Sequence, residues 1–331
     1  MDVSIIGCGA IGKKRAMALG CHDRLIACCD TDQTKGEAFA SQFNCRYYAD
    51  YMALIRDASC DAVVISVVNK YSHGIAIEAL SHKRHVLVEK PLGRNLAEAK
   101  EILNSSAVNG CILKTGFNHV FHPAPQKARE IFNNGGIGRI LNIRARYGHG
   151  GRPGMEKEWR ASKDLCGGGE LLDQGVHIVD LCRWFAGDIS SVFGVVRTKY
   201  WASEVEDNAF VYMQSITGVD IQFNVSWTNW RNIFSFEVFG TDGYLSIEGL
   251  GGSYGMETLE YGVRNKGGGM PKIGVYQFPG DDVSWRNEWV EFEDAIEENR
   301  QPVGSGVDGM KANQIIEAIY RSSAEGRMVW L

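Results

Sequence analysis

The chain predicts an α/β protein, with a doubly wound parallel sheet in its N-terminal part and, after it, an α+β domain built on a large, mainly antiparallel open sheet. Three observations carry this. The opening VSIIGCGAIGKKRAMAL places a glycine triplet between an apolar strand and a helix. Apolar strand-like runs then alternate with helical stretches to about residue 120. From Ile189 to Phe278 short strand-like runs succeed one another, separated by turn signals such as Thr241-Asp242-Gly243. The length of 331 residues exceeds one ordinary core, so two domains are expected, 1–120 and 121–331.

The first βαβ unit has the most specific pattern. VSII is a strand, GCGAIG (residues 7 to 12) fits G-x-G-x-x-G, KKRAMAL opens a helix, and LIACC is a second strand that ends at Asp30. In such a Rossmann unit Gly7 permits the tight turn, Gly9 lets backbone approach a pyrophosphate, and Gly12 lets helix and strand close together. Ala10 and Ile11 lie between them, where free N–H groups and the positive end of the helix dipole favour an anion. Asp30, eighteen residues past Gly12, can accept hydrogen bonds from both adenosine ribose hydroxyls, and it repels the 2′-phosphate of NADP. NAD is therefore expected in preference to NADP, although Lys35 or Thr31 could accommodate a phosphate.

The alternation continues through DAVVISV (61 to 67), a helix capped by Ser72 and running to about Lys83, and HVLVEK (85 to 90). A helix with a capping-box-like start at Asn95 and Glu98 follows, then CILKTGF (111 to 117). Ligands on doubly wound sheets bind outside the carboxyl ends of the strands, where Gly7, Asp30, Asn69 and Lys90 fall. Val67, His73 and Glu89 complete the candidate cofactor contacts. A helix from Pro125 to Asn133 and a strand from Arg139 to Tyr147 lead into GHGGRPGMEKEWRASKDLCGGG, a glycine-rich, charged segment of the kind that forms binding loops. ELLDQGVHIVDLCRWF is helical in period; it puts Asp173 and His177 on one face, with Asp180 three residues further on. Taken alone, that pair also suits a core histidine or a surface salt bridge. VDGMKANQIIEAIYRSSAEG is a last helix, able to pack back on the first domain.

Composition narrows the function classes. A formal charge of -5 and a pI of about 5.9 leave no basic field for nucleic acid or an anionic membrane. The start, MDVSIIG, enters a strand with no basic or long apolar segment before it, which reads as cytoplasmic rather than secreted or membrane-spanning. Nine scattered cysteines without a Cys-x-x-Cys motif suit reduced core thiols. No further His or Cys is spaced to complete a metal site with His177, so no metal is expected.

GCGAIG with Asp30, then VEKPLG at the end of a later strand, then GGGELLDQGVHIVDL resemble, in that order and across most of the chain, the Gfo/Idh/MocA family of NAD(P)-dependent oxidoreductases. The resemblance implies a Rossmann domain followed by an α/β domain with an open antiparallel sheet. It implies oxidation or reduction of carbinols of sugars, cyclitols and nucleotide sugars. It matches Lys90 to the family's Glu-Lys-Pro lysine, and Asp173 and His177 to its Asp-x-x-x-His pair. It further implies a cis Lys90-Pro91 bond, a place for Trp159 and Arg160 near substrate or nicotinamide, and Asn118 lining the same pocket. At His119 the family commonly has an Arg. Packing into homodimers or homotetramers through the C-terminal sheet is implied too, with Phe234, Phe236 and Phe239 as an apolar face to cover.

On this reading each polar residue acquires a task. Hydride leaves a carbinol carbon readily only as its hydroxyl proton is withdrawn. Lys90 can hold the oxygen as negative charge develops, and neutral His177 can take the proton. Asp173 orients that ring or bonds a neighbouring hydroxyl. His149, Arg152, Lys157, Trp159, Arg160 and Lys163 form a cationic and aromatic set that could clamp a phosphate or carboxylate, so a nucleotide sugar would fit. An amino sugar or cyclitol would fit as well. Trp227 and Trp230 in SWTNW read as strand residues on opposite faces. Two other readings stand beside this one: a non-catalytic NAD- and sugar-sensing regulator of the same fold, and a reductase of a non-sugar carbonyl or imine. The presence of Lys90, Asp173 and His177 together favours the enzyme, because a sensor needs no proton acceptor.

Overall fold

Strand β1 (Asp2–Ile6) opens the computed structural model, which describes residues 1–331, and it becomes an interior strand of a six-stranded sheet. It is followed by α1 (Ala10–Ala18), β2 (Arg24–Cys29), α2 (Gln33–Phe43), β3 (Arg46–Tyr48) and α3 (Tyr51–Asp57). Then come β4 (Ala62–Ile65), α4 (Asn69–Ser81), β5 (His85–Val88), α5 (Leu96–Asn109) and β6 (Leu113–Thr115). All strand pairs are parallel and the order is β3-β2-β1-β4-β5-β6, so the winding reverses between β1 and β4. The two-residue period of a strand sorts the apolar side chains onto two faces. Ile6, Val63, Ile65, Val86 and Val88 pack with Leu54, Ile75, Leu80 and Ile102, whereas Val3, Ile5, Val64 and Leu87 pack with Ala16 and Phe39. Asn95 caps α5 through its side chain to the Glu98 N–H, as its spacing predicts. Ser72 does not cap α4: the helix begins three residues earlier at Asn69, and the Ser72 hydroxyl donates back to the Asn69 carbonyl at 2.8 Å.

The chain from Asn118 builds a second unit around a nine-stranded sheet. Its elements are α6 (Pro123–Asn133), β7 (Ile140–Gly148), α8 (Val176–Ala186), β8 (Ile189–Arg197), β9 (Asn208–Ser215) and β10 (Asp220–Ser226), with the single turn α7 (Lys163–Cys166), which belongs mostly to the first unit, between β7 and α8. β11 (Ile233–Gly240), β12 (Gly243–Glu248), β13 (Glu257–Val263) and β14 (Lys272–Phe278) extend the sheet. Pairing is antiparallel except between β7 and β10. One face carries α8, where Phe185 meets Phe236 of β11 with ring centroids 5.7 Å apart. Phe234 and Phe236 therefore belong to the buried face rather than to the open one expected of them; of the three, Phe239 lies on the other side, under Arg144 and beside Tyr244. The strand reading of SWTNW also fails. β10 ends at Ser226, Trp227 is buried, and Trp230 sits in a loop with φ of 55°.

The two remaining helices are α9 (Ser284–Glu297) and α10 (Gly306–Glu325), followed by β15 (Val329–Trp330). Trp285–Asn313 and the short segment Asp164–Gly167 belong to the first unit; Gln314–Leu331 belong to the second, where the Ser322 hydroxyl accepts from the Gly194 N–H on β8. Within the first unit Trp289 and Phe292 of α9, three residues apart, fill the core beside Ala16 and Phe39. The Trp289 indole N–H donates to Asp23 at 2.7 Å.

The same helix contributes a buried carboxylate. Arg15 of α1, almost wholly buried, meets Glu89 and Glu288, each at 2.5 Å, under the ring of Trp285. Buried Lys114 lies 3.7 Å from Glu288 and also donates to the Val303 carbonyl. Burial raises the Glu89 pKa, against the pull of the Arg15 charge. Replacing Arg15 by Leu leaves two carboxylates in a dry interior with one cation. We expect the Arg15→Leu chain to lose about 3–5 kcal/mol of stability in urea unfolding at neutral pH, with the deficit shrinking in acid as the carboxyls take up protons.

Candidate active site

The glycine loop has the shape a dinucleotide needs. Gly7 has φ of 101°, and a Cβ there would come within 2.3 Å of the Ser66 carbonyl oxygen. A Cβ on Gly12 would lie 2.0 Å from the Gly7 carbonyl oxygen, while above Gly9 there is open space. No side chain caps α1 at Gly9, so the first N–H groups of the helix, from Ala10 and Ile11, face outward. At the end of β2, Asp30 accepts from the Cys8 N–H at 2.9 Å and from the Asp32 N–H at 2.9 Å. Each carboxylate oxygen keeps a lone pair for a ribose hydroxyl. Lys35 is drawn to Asp32 at 2.8 Å. These residues fit an NAD-type dinucleotide.

The carboxyl ends of β4 and β5 carry the remaining rim residues. Val67 precedes α4 and is half-buried. Asn69, the first residue of α4, donates to the Cys166 carbonyl at 2.9 Å, which anchors the glycine-rich segment within this unit. His73 meets Glu101 of α5 at 2.7 Å. Glu89 is held by Arg15, and Lys90 follows it across a cis bond to Pro91.

In the second unit the segment 170–186 is not one regular helix. Leu171–Gly175 form a π-helical turn that leads into α8, a local irregularity frequent at functional sites. Asp173 lies in that turn and His177 in the first turn of α8. Asp173 meets Arg160 at 3.5 Å, and the Arg160 guanidinium lies 4.4 Å from the centre of the Trp159 ring. Three of the expected substrate residues are thus neighbours. Arg152 is not among them; it is exposed and paired with Glu158 at 2.7 Å. Buried His177 lies face to face with His119, their ring centroids 3.6 Å apart and planes 15° from parallel. Asn118 bonds His119 at 3.0 Å and Ser284 at 2.9 Å.

Four further residues surround this pair, and none of them was among the expected site residues. Tyr147 on β7 bonds His119 at 3.0 Å; Tyr254 lies against Tyr147; Gln174 donates to Tyr254 at 2.7 Å; and Glu170 is fully buried nearby. Burial, with the charges of Glu170 and Asp173 adding to it, pushes the Tyr254 phenol up to about 12 and Tyr147 well above its ordinary value. Both stay protonated near neutral pH. Burial lowers the pKa of His149, which lies at the end of the same strand. A tyrosine on the buried face of β7, in line with Ile143 and Ala145, was the one available hint.

Comparison with known proteins agrees with this layout. The model of an oxidoreductase family with an NAD-binding Rossmann fold, GFO/IDH/MocA, matches residues 1–117, and the model of the GFO/IDH/MocA C-terminal domain matches residues 126–246. The 1,5-anhydro-D-fructose reductase of Ensifer adhaerens is 27% identical, covering 92% of this chain and 90% of its own. The myo-inositol 2-dehydrogenase of Thermotoga maritima is 27% identical over 100% of this chain and 98% of its own. The solved structure of levoglucosan dehydrogenase in complex with NADH superposes with a TM-score of 0.90 at 22% identity, covering 100% of this chain and 98% of that one, a likeness of fold.

Asp207 shapes the loop beside these residues. It accepts from the N–H groups of Lys199, Tyr200 and Trp201, at 2.7 to 2.9 Å, and from the Asn208 amide at 3.0 Å. Trp201 in turn donates to the Trp227 carbonyl at 3.0 Å and packs where a Gly151 Cβ would be. Burial alone would raise the Asp207 pKa, yet these bonds to the anion hold it below its ordinary value. Its contribution to stability is then complete above the unfolded value of about 3.9 and is lost as pH falls through the lowered folded value. Asp207→Asn should accordingly melt below wild type at neutral pH, with the gap in Tm closing as the pH is brought to about 3.

Proposed function

Because the chain belongs to the Gfo/Idh/MocA family of NAD-binding oxidoreductases, we propose that it transfers hydride between NAD and a secondary alcohol of a sugar, nucleotide sugar, amino sugar or cyclitol. The observation that carries this reading is His177, a buried imidazole at the head of α8, one turn after a carboxylate, Asp173, that already meets a guanidinium. A proton acceptor flanked by groups that bond hydroxyls suits a polyol. Relatives named for anhydrofructose and for myo-inositol support a polyhydroxylated ring.

NAD, when bound, supplies the two-electron acceptor at its nicotinamide. The residues of this chain do the rest. An imidazole nitrogen of His177 takes the hydroxyl proton during oxidation and returns it during reduction. The Lys90 ammonium holds the same oxygen as its negative charge builds, worth about 3 kcal/mol for one preorganised donor in a water-poor site. Asp173 and Arg160 bond the hydroxyls beside the reacting carbon. Asp30 accepts from the adenosine ribose, and the α1 N-terminus with Gly9 receives the pyrophosphate.

We propose too that two or more copies pair through the open face of the nine-stranded sheet. Phe193, Val195 and Phe210 line one depression there, with Phe210 56% exposed. Sedimentation of wild type against Phe210→Glu tests this; equal masses at the size of one chain reject it.

A panel of sugars, cyclitols and nucleotide sugars with NAD, followed at the near-ultraviolet band of NADH, tests the reaction. Lys90→Ala and His177→Ala should each lower kcat by about 10²–10⁴-fold, with the loss larger for His177→Ala at low pH than at high pH, where hydroxide competes as the proton acceptor. Turnover that survives both substitutions rejects the assigned roles. Tight NAD binding with no turnover across the panel favours the sensing protein instead.

A further inference from the structure

We propose that Asp282 fixes the tautomer and ring plane of His119 through a one-way chain of hydrogen bonds, and that His119 thereby positions His177. This rests on the reading of His177 as the proton acceptor. The chain begins at the Asp282 carboxylate, which accepts from the Ser284 hydroxyl at 2.5 Å and the Ser284 N–H at 3.0 Å. A carboxylate has no proton to give, so the Ser284 hydroxyl must point at it. The Ser284 oxygen can then only receive from Asn118, which turns the Asn118 NH₂ to Ser284 at 2.9 Å and its oxygen to His119. That oxygen is an acceptor, so His119 carries its proton on Nδ1, 3.0 Å away. In the neutral ring Nε2 is left as an acceptor, and it takes the Tyr147 hydroxyl at 3.0 Å.

The chain has one more member beyond His119. Tyr147 gives its proton to His119, and its ring packs edge-on against that of Tyr254, centroids 5.0 Å apart. The Tyr254 oxygen receives from Gln174 at 2.7 Å, and Gln174 stands next to Asp173 in the π-helical turn. From Tyr147 onward every donor points toward Asp282. Such a run has one satisfied orientation, because reversing any member sets two donors or two acceptors against each other. The fixed Nδ1–H form is the opposite of the Nε2–H form that free histidine favours in water.

The link to His177 is the face-to-face contact at 3.6 Å. A ring held at both nitrogens cannot rotate, and the imidazole stacked on it is confined to one plane. Two titratable groups touch His119 besides His177: Tyr147, near which lie Tyr254, Glu170 and Asp173, and His122, whose own partners are Glu257 at 3.0 Å and Asp282 at 3.8 Å. Asp282 and Ser284 are positioning residues in this scheme.

Nitrogen NMR of the full-length chain with isotope-labelled histidine tests it, His119 being assigned by its absence in His119→Phe. We expect wild-type His119 protonated at Nδ1 and bare at Nε2. In Asp282→Asn and in Ser284→Ala the Nε2–H form should appear, and kcat on the most active panel substrate should fall roughly ten- to hundredfold with NAD affinity unchanged. Asp282→Glu should restore both. An Nε2–H form in wild type, or an unchanged Nδ1–H form in both variants, overturns the chain. Loss of the tautomer with kcat intact overturns its link to His177. The spectra need no substrate, so a chain inert on the whole panel would sink the functional reading while leaving the tautomer measurement to be judged by itself.

Discussion

The first unit is organised around one guanidinium. Arg15 stands on the helix that starts at the glycine loop, and its two carboxylate partners come from the residue before Lys90 and from α9. Gly116 on the neighbouring strand leaves room for this arrangement, since a Cβ there would come within 2.8 Å of Arg15 and 3.0 Å of Glu89. Burying such a cluster removes hydration from four charged groups, and well-packed apolar residues would stabilise the fold at least as well. Its value is geometric. A charge with two fixed partners allows one placement of the loop helix against the end of β5, the two places to which the proposed reaction assigns its cofactor and its reacting oxygen.

In the second unit backbone N–H groups are gathered by carboxylates in the same spirit. Glu206 accepts from Gly169 and Leu171 at 3.0 and 3.1 Å and from the Tyr320 hydroxyl at 2.7 Å, so the end of the glycine run is tied down just before the π-helical turn. Gly169 is needed there, because a Cβ would lie 1.9 Å from the Glu206 carbonyl oxygen. Asp207, next in sequence, does the same for the strand-connecting loop that carries Trp201. Adjacent carboxylates thus order two separate loops of this unit.

Much of this was legible in the residues. The glycine triplet with Asp30, the strand and helix alternation and the side-chain cap supplied by Asn95 are local signals, and the chain folds locally as they imply. What failed depended on distant partners. Phe234 and Phe236 could not be assigned to a face without knowing that α8 covers it, and SWTNW looks like a strand although the chain leaves the ladder after Trp227 and turns through Trp230 with φ of 55°. The π-helical turn is invisible to a 3.6-residue period. Tyr147 on β7, Gln174 in the π-helical turn and Tyr254 in the loop between β12 and β13 meet only through folding, so no spacing could have grouped them.

The discontinuity of the first unit has a kinetic meaning. A nascent chain released only as far as Phe117 has the whole parallel sheet, yet Val3, Ile5 and Phe39 lack the cover of Trp289 and Phe292, and Arg15 has one anion instead of two. The face opposite α4 and α5, which α1 and α2 cover in part, is closed only once α9 has left the ribosome. The nucleotide-binding half, first to be started, is therefore finished only after β14 of the second unit has been made, and until then part of its core waits for residues far downstream.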